Sequence, residues 1–185
     1  VAVAAAILYD AAHGNGDIRD KGCTMMGMDD LTLARALHVI GVVIWIGGVS
    51  MATTVALPAV RRGQLGDDPL AAFEAFEGRF VWQARAMVLI VGLSGFYLVE
   101  RLDLWDRFTD GRFWWMHAMV GVWSLFVLLL FLIEPLILHR YFPAWARRDP
   151  RRAFAVLHQA HVVLLTLALV TVFGAVAGSH GWMPW

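Results

Sequence analysis

A single cysteine, Cys23, stands in a chain of 185 residues. One thiol excludes an intrachain disulfide and a cysteine-only metal cluster, and leaves the redox compartment open. Charge is scarce as well: 16% of the residues are Asp, Glu, Lys or Arg, whereas 59% are apolar, with 9 Trp and 11 Phe. A soluble domain of this length has too little interior to hide so much apolar surface, and a bundle in lipid has no need to hide it. The 15 basic residues balance 15 acidic ones, so net charge points to no polyanionic partner and to no nucleic acid. Missing too are a Walker loop, a GxGxxG turn between strand and helix, a GxSxG elbow and an HExxH helix. Nothing announces a soluble catalytic domain, and any chemistry is expected within a bilayer.

What the chain has is long apolar runs. From Ala36 to Leu57 no side chain is charged, matching the roughly 20 residues needed to cross a hydrocarbon layer of about 30 Å. Helices are predicted over about residues 31–58, 79–99, 112–138 and 152–178, the first starting behind Asp29, Asp30 and Thr32 and stopped by Pro58. Short connections make the expected fold class all-α integral membrane, an up-down-up-down four-helix transmembrane bundle. Pro69 is expected to open a short amphipathic segment around Phe73 and Phe76 inside the first connection, and the arginine-rich stretch after residue 138 reads as a loop.

The flanks are predicted to lie outside the membrane domain of residues 31–178. Residues 1–30 begin VAVAAAILYD, too short to span, which reads as a signal-region remnant, an interfacial helix or the tail of an earlier span. The polar stretch that follows carries Cys23, Met25, Met26 and Met28, soft ligands that suit copper, or the side chains of an ordinary loop. Residues 179–185 form an aromatic tail in which Trp182 and Trp185 would serve as an interfacial anchor or a docking segment. Nine basic residues fall at the first and third connections and the adjoining helix ends, against six on the other side. That bias puts those connections in the cytoplasm of a bacterial inner membrane, with both termini outside.

Within this apolar frame two histidines stand out. His38 lies about seven residues into helix 1 and His117 about five into helix 3, so at about 1.5 Å per residue both sit roughly 8–10 Å below the outer end. An ionisable side chain inside a span is costly and marks a functional site by default. Two parallel helices with imidazoles at one depth would grip an iron porphyrin from opposite faces, axial histidine being a standard haem ligand. Gly41 follows His38 by three residues and Gly121 follows His117 by four; Gly92 and Gly95 on helix 2 fall at similar depth, and helix 4 ends in Gly174, Ala175, Ala177 and Gly178. Small residues there leave room for a flat macrocycle, or serve close helix packing. Arg35 and Arg112, just above the two histidines, would meet haem propionates or snorkel to lipid headgroups. At least one haem b is expected.

Toward the other side lie His139, and His158 with His161 three residues on along helix 4. One helix cannot place both across a single haem, so a second haem would pair one of them with His139 or another partner. A two-imidazole metal site with Glu134, or histidines bonded to backbone and lipid phosphate, are the other readings. Glu134 and Arg85 near the inner ends of their spans would form an ion pair or a quinone or proton site. Pro135 is expected to free a backbone carbonyl and bend helix 3.

The stretch ALHVIGVVIWIGGVS in helix 1 resembles the first helix of the small haem-binding membrane proteins grouped around the HemJ-type protoporphyrinogen oxidase and the CopD copper-resistance proteins, with its Leu-His pair and its Trp-x-Gly-Gly element. FWWMHAM in helix 3 resembles the Trp-x-His start of the corresponding HemJ helix, and GLSGFYL its glycine-containing second helix. The likeness covers roughly residues 33–125. It implies haem b with His38 and His117 as ligands. It departs from the HemJ pattern at Met119, where a Lys is usual, and in an arginine-rich stretch after helix 1 reduced to Arg61 and Arg62; both departures count against porphyrinogen oxidation.

The expected function is therefore that of a membrane b-type cytochrome. It would pass electrons between the quinone pool and a periplasmic carrier, as a subunit of a larger redox complex embedded in membrane lipid. A HemJ-like oxidase, a CopD-like copper transporter using Met25, Met26 and Met28, and a haem-free anchor subunit are the alternatives. No residue is assigned a catalytic role.

Overall fold

In hydrocarbon there is no water for a backbone amide, so each apolar run must close its own hydrogen bonds, and a helix does so residue by residue. The computed structural model describes residues 21–66 and 68–181, with side chains from residue 30 onward. The apolar run at the start, the Cys23 and Met25–Met28 side chains, and the Trp182–Trp185 tail lie outside the described residues. Four helices in it are long and apolar enough to cross a membrane, which makes the chain a multi-pass membrane protein by length and composition.

Helix α1 runs as Lys21–Met51, continues through a wider π stretch at Ala52–Ala56, and closes with Leu57–Arg61. Helix α2 is Pro69–Arg101. Two single turns, Trp105–Phe108 and Gly111–Phe113, lead into α3, which comprises Trp114–Leu128, a π stretch at Leu129–Leu138, and His139–Arg148. Helix α4 is Pro150–Ser179.

Four boundaries differ from the sequence expectation: α1 already begins at Lys21, so the backbone of the stretch from Lys21 to Asp30, expected to lie outside the helix, is helical, and the other three differ for stated reasons. Pro58 does not stop α1. A proline inside a helix lacks an N–H and clashes with the carbonyl four residues back, and the π stretch widens the turn there, with Leu57 N–H reaching Ala52 O five residues away. The segment opened by Pro69 is not separate from helix 2. Asp68 accepts hydrogen bonds from the N–H groups of Leu70 and Ala71, Pro69 sits at the first position, and one helix runs on through Gly78. The arginine-rich stretch after residue 138 is helical to Arg148 because Phe142 and Ala146 bury one face of it, and Asp149 then caps α4 by accepting from Arg152 N–H.

The helices are antiparallel to their neighbours. His38 near the start of α1 meets Val91 near the end of α2, Arg61 at the end of α1 meets His158 early in α4, and Trp114 at the start of α3 covers Gly174 late in α4. The core forms three layers along the bundle. At the arginine-rich end Phe73, Phe142 and Phe154 meet at tilted and edge-on angles beside Leu57, Leu70 and Leu157; Trp45, Val88, Phe126 and Leu165 fill the middle; Trp115, Met116 and Ala175 close the opposite end. Outward, the surface is apolar, with Leu93, Val43, Leu136 and Phe173 exposed. Helix α3 is the most apolar of the four and the least buried, as expected where lipid is the solvent.

The small residues late in α4 are seats for indoles. A Cβ on Gly174 would run into the Trp114 ring and one on Gly178 into the Trp115 ring, whereas a Cβ on Gly121 would meet nothing. Trp115 is buried and cannot yield. Gly178→Ala should therefore lower the melting temperature of the detergent-purified protein, at a cost of about 1–3 kcal/mol for overpacking. Gly121→Ala should leave it unchanged. Equal effects of the two would contradict this packing.

Candidate functional site

Two proline-opened π stretches set the polar chemistry of the arginine-rich half. In a five-residue register the carbonyl that would have served Pro58 is that of Thr53, and the one that would have served Pro135 is that of Leu130. Neither is left alone. His158 Nε2–H donates to Thr53 O at 3.0 Å from α4, and Arg85 Nε–H donates to Leu130 O at 3.0 Å from α2. Each lost amide is thus replaced by a side chain of a neighbouring helix.

Arg85 does more. Its Nη2 pairs with Glu134 at 2.5 Å, and its guanidinium lies 5.1 Å from the centre of the Trp82 ring and 5.8 Å from that of Phe131. The ion pair weighed from the sequence is formed, and its cation also rests on aromatic faces. The two remaining histidines of the arginine-rich half are placed differently from His158. His158 uses both nitrogens, since Nδ1 accepts from Arg61 Nη1 at 2.7 Å, while His161 Nδ1–H donates to Leu157 O at 2.9 Å and leaves Nε2 as an acceptor. His139 is exposed at the end of the π stretch. Among the described residues, no group of three or more His, Cys, Asp or Glu gathers to hold a metal ion.

At the opposite end, His38 is tied to α2. Its Nδ1–H donates to Val91 O at 3.1 Å, with Ser94 Oγ at 3.2 Å, and Ser94 Oγ–H itself donates to Ile90 O at 2.5 Å. That bond fixes the tautomer and leaves the Nε2 lone pair, the arrangement in which a ligating histidine is held. Gly95 makes room for the ring, since a Cβ there would lie 3.1 Å from His38 Cε1. Gly41 lets α1 approach α2, since its Cβ would lie 2.8 Å from Val91 Cγ2. His38, Gly41 and Gly95 therefore belong to one contact.

His117 does not join them. It is exposed, its Nε2–H donates to Phe108 O at 2.9 Å, and its ring stands edge-on to Phe108. Gly92 is covered by Trp123 of α3, whose Nε1–H donates to Val88 O at 2.9 Å; Gly121 faces open space. Arg112 is held by Asp110, with Nε at 2.9 Å and Nη2 at 2.6 Å from Oδ2, so a carboxylate of this chain takes the place expected for a propionate. Those bonds keep the Asp110 carboxyl below its ordinary pKa. Arg35 is half-buried on α1. As a haem cradle, then, this end offers a prepared ligand in His38, while His117 is turned away and the hollows at Gly41 and Gly92 are occupied by protein.

A cavity of about 230 Å³ lies in the other half of the bundle. Its wall is apolar except for Glu77, Glu134, His161 and the indole of Trp45. Sequence reasoning passed over Glu77, Trp45 and Ser94. Glu77 stood in what read as a connection, Trp45 in the Trp-x-Gly-Gly element with no role of its own, and Ser94 as a small residue in GLSG; only their placement on facing helices reveals them.

Compared with known protein families, curated proteins and solved structures, the chain matches none.

The two carbonyl caps are separable by mutation. Arg85→Met should destabilise the purified protein by about 3 kcal/mol, because it leaves Glu134 unpaired and Leu130 O without a donor. In a Pro135→Ala background, where residue 135 supplies an N–H, the cost should shrink. Likewise His158→Ala should cost about 1–3 kcal/mol, and less after Pro58→Ala. Denaturation in mixed micelles checks this; strict additivity in both pairs would refute it.

Proposed function

We propose that this chain is a membrane b-type cytochrome that carries electrons between a lipid-soluble quinone and a periplasmic redox partner, as a small subunit of a larger complex. The observation that carries the reading is His38. An imidazole within an apolar span, with Nδ1–H fixed on Val91 O and Nε2 left as a lone-pair donor, has the preparation of an axial ligand. Haem, when bound, supplies reversible one-electron reduction. The residues' own parts are binding and orientation. His38 offers Nε2, Ser94 and Val91 hold its ring, and Gly95 clears the space beside it. Binding of a macrocycle there requires the His117 ring to release Phe108 O and the Trp123 indole to leave Gly92. The bias of basic residues toward the α1–α2 and α3–α4 connections supports a bacterial inner membrane with those connections in the cytoplasm and the His38 end outward.

The test is a dithionite-reduced minus oxidised visible spectrum of protein purified in detergent after growth with ample haem. A b-type α band is expected in the wild type, lost in His38→Ala and diminished in His117→Ala. Protein without haem absorbance would overturn the reading. Copper transport and a haem-free anchor would then separate by whether copper accumulation falls when Met25, Met26 and Met28 are replaced.

A further inference from the structure

Arg85 and Arg112 each have a carboxylate of this chain beside them, Glu134 and Asp110. Arg61 is oriented by a neutral group instead. Its Nη1–H donates to His158 Nδ1 at 2.7 Å, and His158 is itself fixed because its Nε2–H donates to Thr53 O at 3.0 Å. An imidazole that donates from one nitrogen and accepts at the other carries no charge. The Arg61 guanidinium is therefore held in place with its charge uncompensated. Arg62 has no partner among the described residues, and no carboxylate among them pairs with either arginine. Both line an open groove of about 320 Å³ with Pro58 and His158. Pro58 has no N–H and His158 has spent both nitrogens, so the side-chain donors left to this groove are guanidinium N–H groups.

We propose that this groove holds the headgroup of an anionic phospholipid, with Arg61 and Arg62 donating to the non-bridging oxygens of its phosphodiester. Guanidinium forks match phosphate oxygens in both geometry and charge. Because His158 already fixes the Arg61 fork, less side-chain freedom is lost on binding than for an arginine that snorkels freely. Place selects a lipid over a soluble anion. The groove sits where the candidate span Asp30–Arg61 ends and Pro150–Ser179 begins. On its membrane side, apolar side chains stand exposed: Val55 on α1 and, one turn from His158, Val162 on α4. A lipid headgroup in the groove lays its acyl chains over that surface, whereas a free phosphate leaves it bare. A zwitterionic headgroup fits less well, since it brings an ammonium toward two unpaired guanidiniums. The site is independent of any haem at the His38 end.

The experiment is native mass spectrometry of the delipidated full chain in detergent, with a melting curve on each variant to confirm folding. The protein is titrated with dioleoylphosphatidylglycerol, with dioleoylphosphatidylcholine and with inorganic phosphate. The wild type should retain phosphatidylglycerol saturably and hold phosphatidylcholine about tenfold less tightly. Arg62→Gln, which breaks no bond among the described residues, should weaken phosphatidylglycerol about tenfold, the equivalent of one charged hydrogen bond. Arg61→Gln should weaken it at least as much. Arg140→Gln removes the same charge from the same half but outside the groove, and should change the affinity by less than about twofold because a distant exposed charge is screened. An equal loss in Arg140→Gln would reduce the site to the diffuse attraction of a basic surface and overturn it. Equal retention of phosphatidylcholine would overturn it too. Inorganic phosphate retained by the wild type and lost in Arg61→Gln, with no preference between the lipids, would assign the groove to a free anion and overturn the lipid site.

Discussion

A backbone carbonyl in hydrocarbon has no water to turn to; besides Pro143 in the last part of α3, two prolines of this bundle, Pro58 and Pro135, each take away an amide. Both are accommodated in the same way. The helix widens to a five-residue register, and a side chain from a neighbouring helix donates to the freed carbonyl: His158 to Thr53 O behind Pro58, Arg85 to Leu130 O behind Pro135. The first bond crosses from α4 to α1 and the second from α2 to α3. In the arginine-rich half α1 and α4, and α2 and α3, are thus tied by bonds that backbone chemistry demands. His158 spends Nε2 on this demand and Nδ1 on Arg61, so it has no nitrogen left for a metal.

The division of labour between the two ends follows. In the arginine-rich half, the widened turns and the bulk of Trp45, Phe126 and the phenylalanine layer leave a cavity with few polar groups on its wall. At the opposite end the backbone is regular, and His38 can spend one nitrogen on Val91 O and keep the other.

Much of the fold was legible because hydrophobic runs are a property of sequence alone. The four spans could be read from Ala36–Leu57 and its counterparts. Pro135 was read as freeing a carbonyl; Pro58 was read as a stop, because a proline's effect depends on whether a donor on another helix takes over, and His158 lies far away in sequence. The site was less legible for a related reason. Depth matching put His38 and His117 at one level, but depth does not give rotation about a helix axis, and His117 bonds to the turn before its own helix. The glycines were read as room for a macrocycle or as sites of close helix packing; Gly174, Gly178, Gly92 and Gly95 turn out to seat Trp114, Trp115, Trp123 and His38. The Trp45 indole, ten residues from the nearest charged side chain, Arg35, gave no hint that its N–H would be orphaned among the described residues.

The most direct measurement of the central claim is low-temperature electron paramagnetic resonance of the oxidised protein purified after growth with ample haem. Ligation by His38 with His117 as its partner predicts a low-spin ferric signal that turns high-spin in His117→Ala and disappears with the haem in His38→Ala. A low-spin signal that survives His38→Ala, or an iron-free protein, would contradict it.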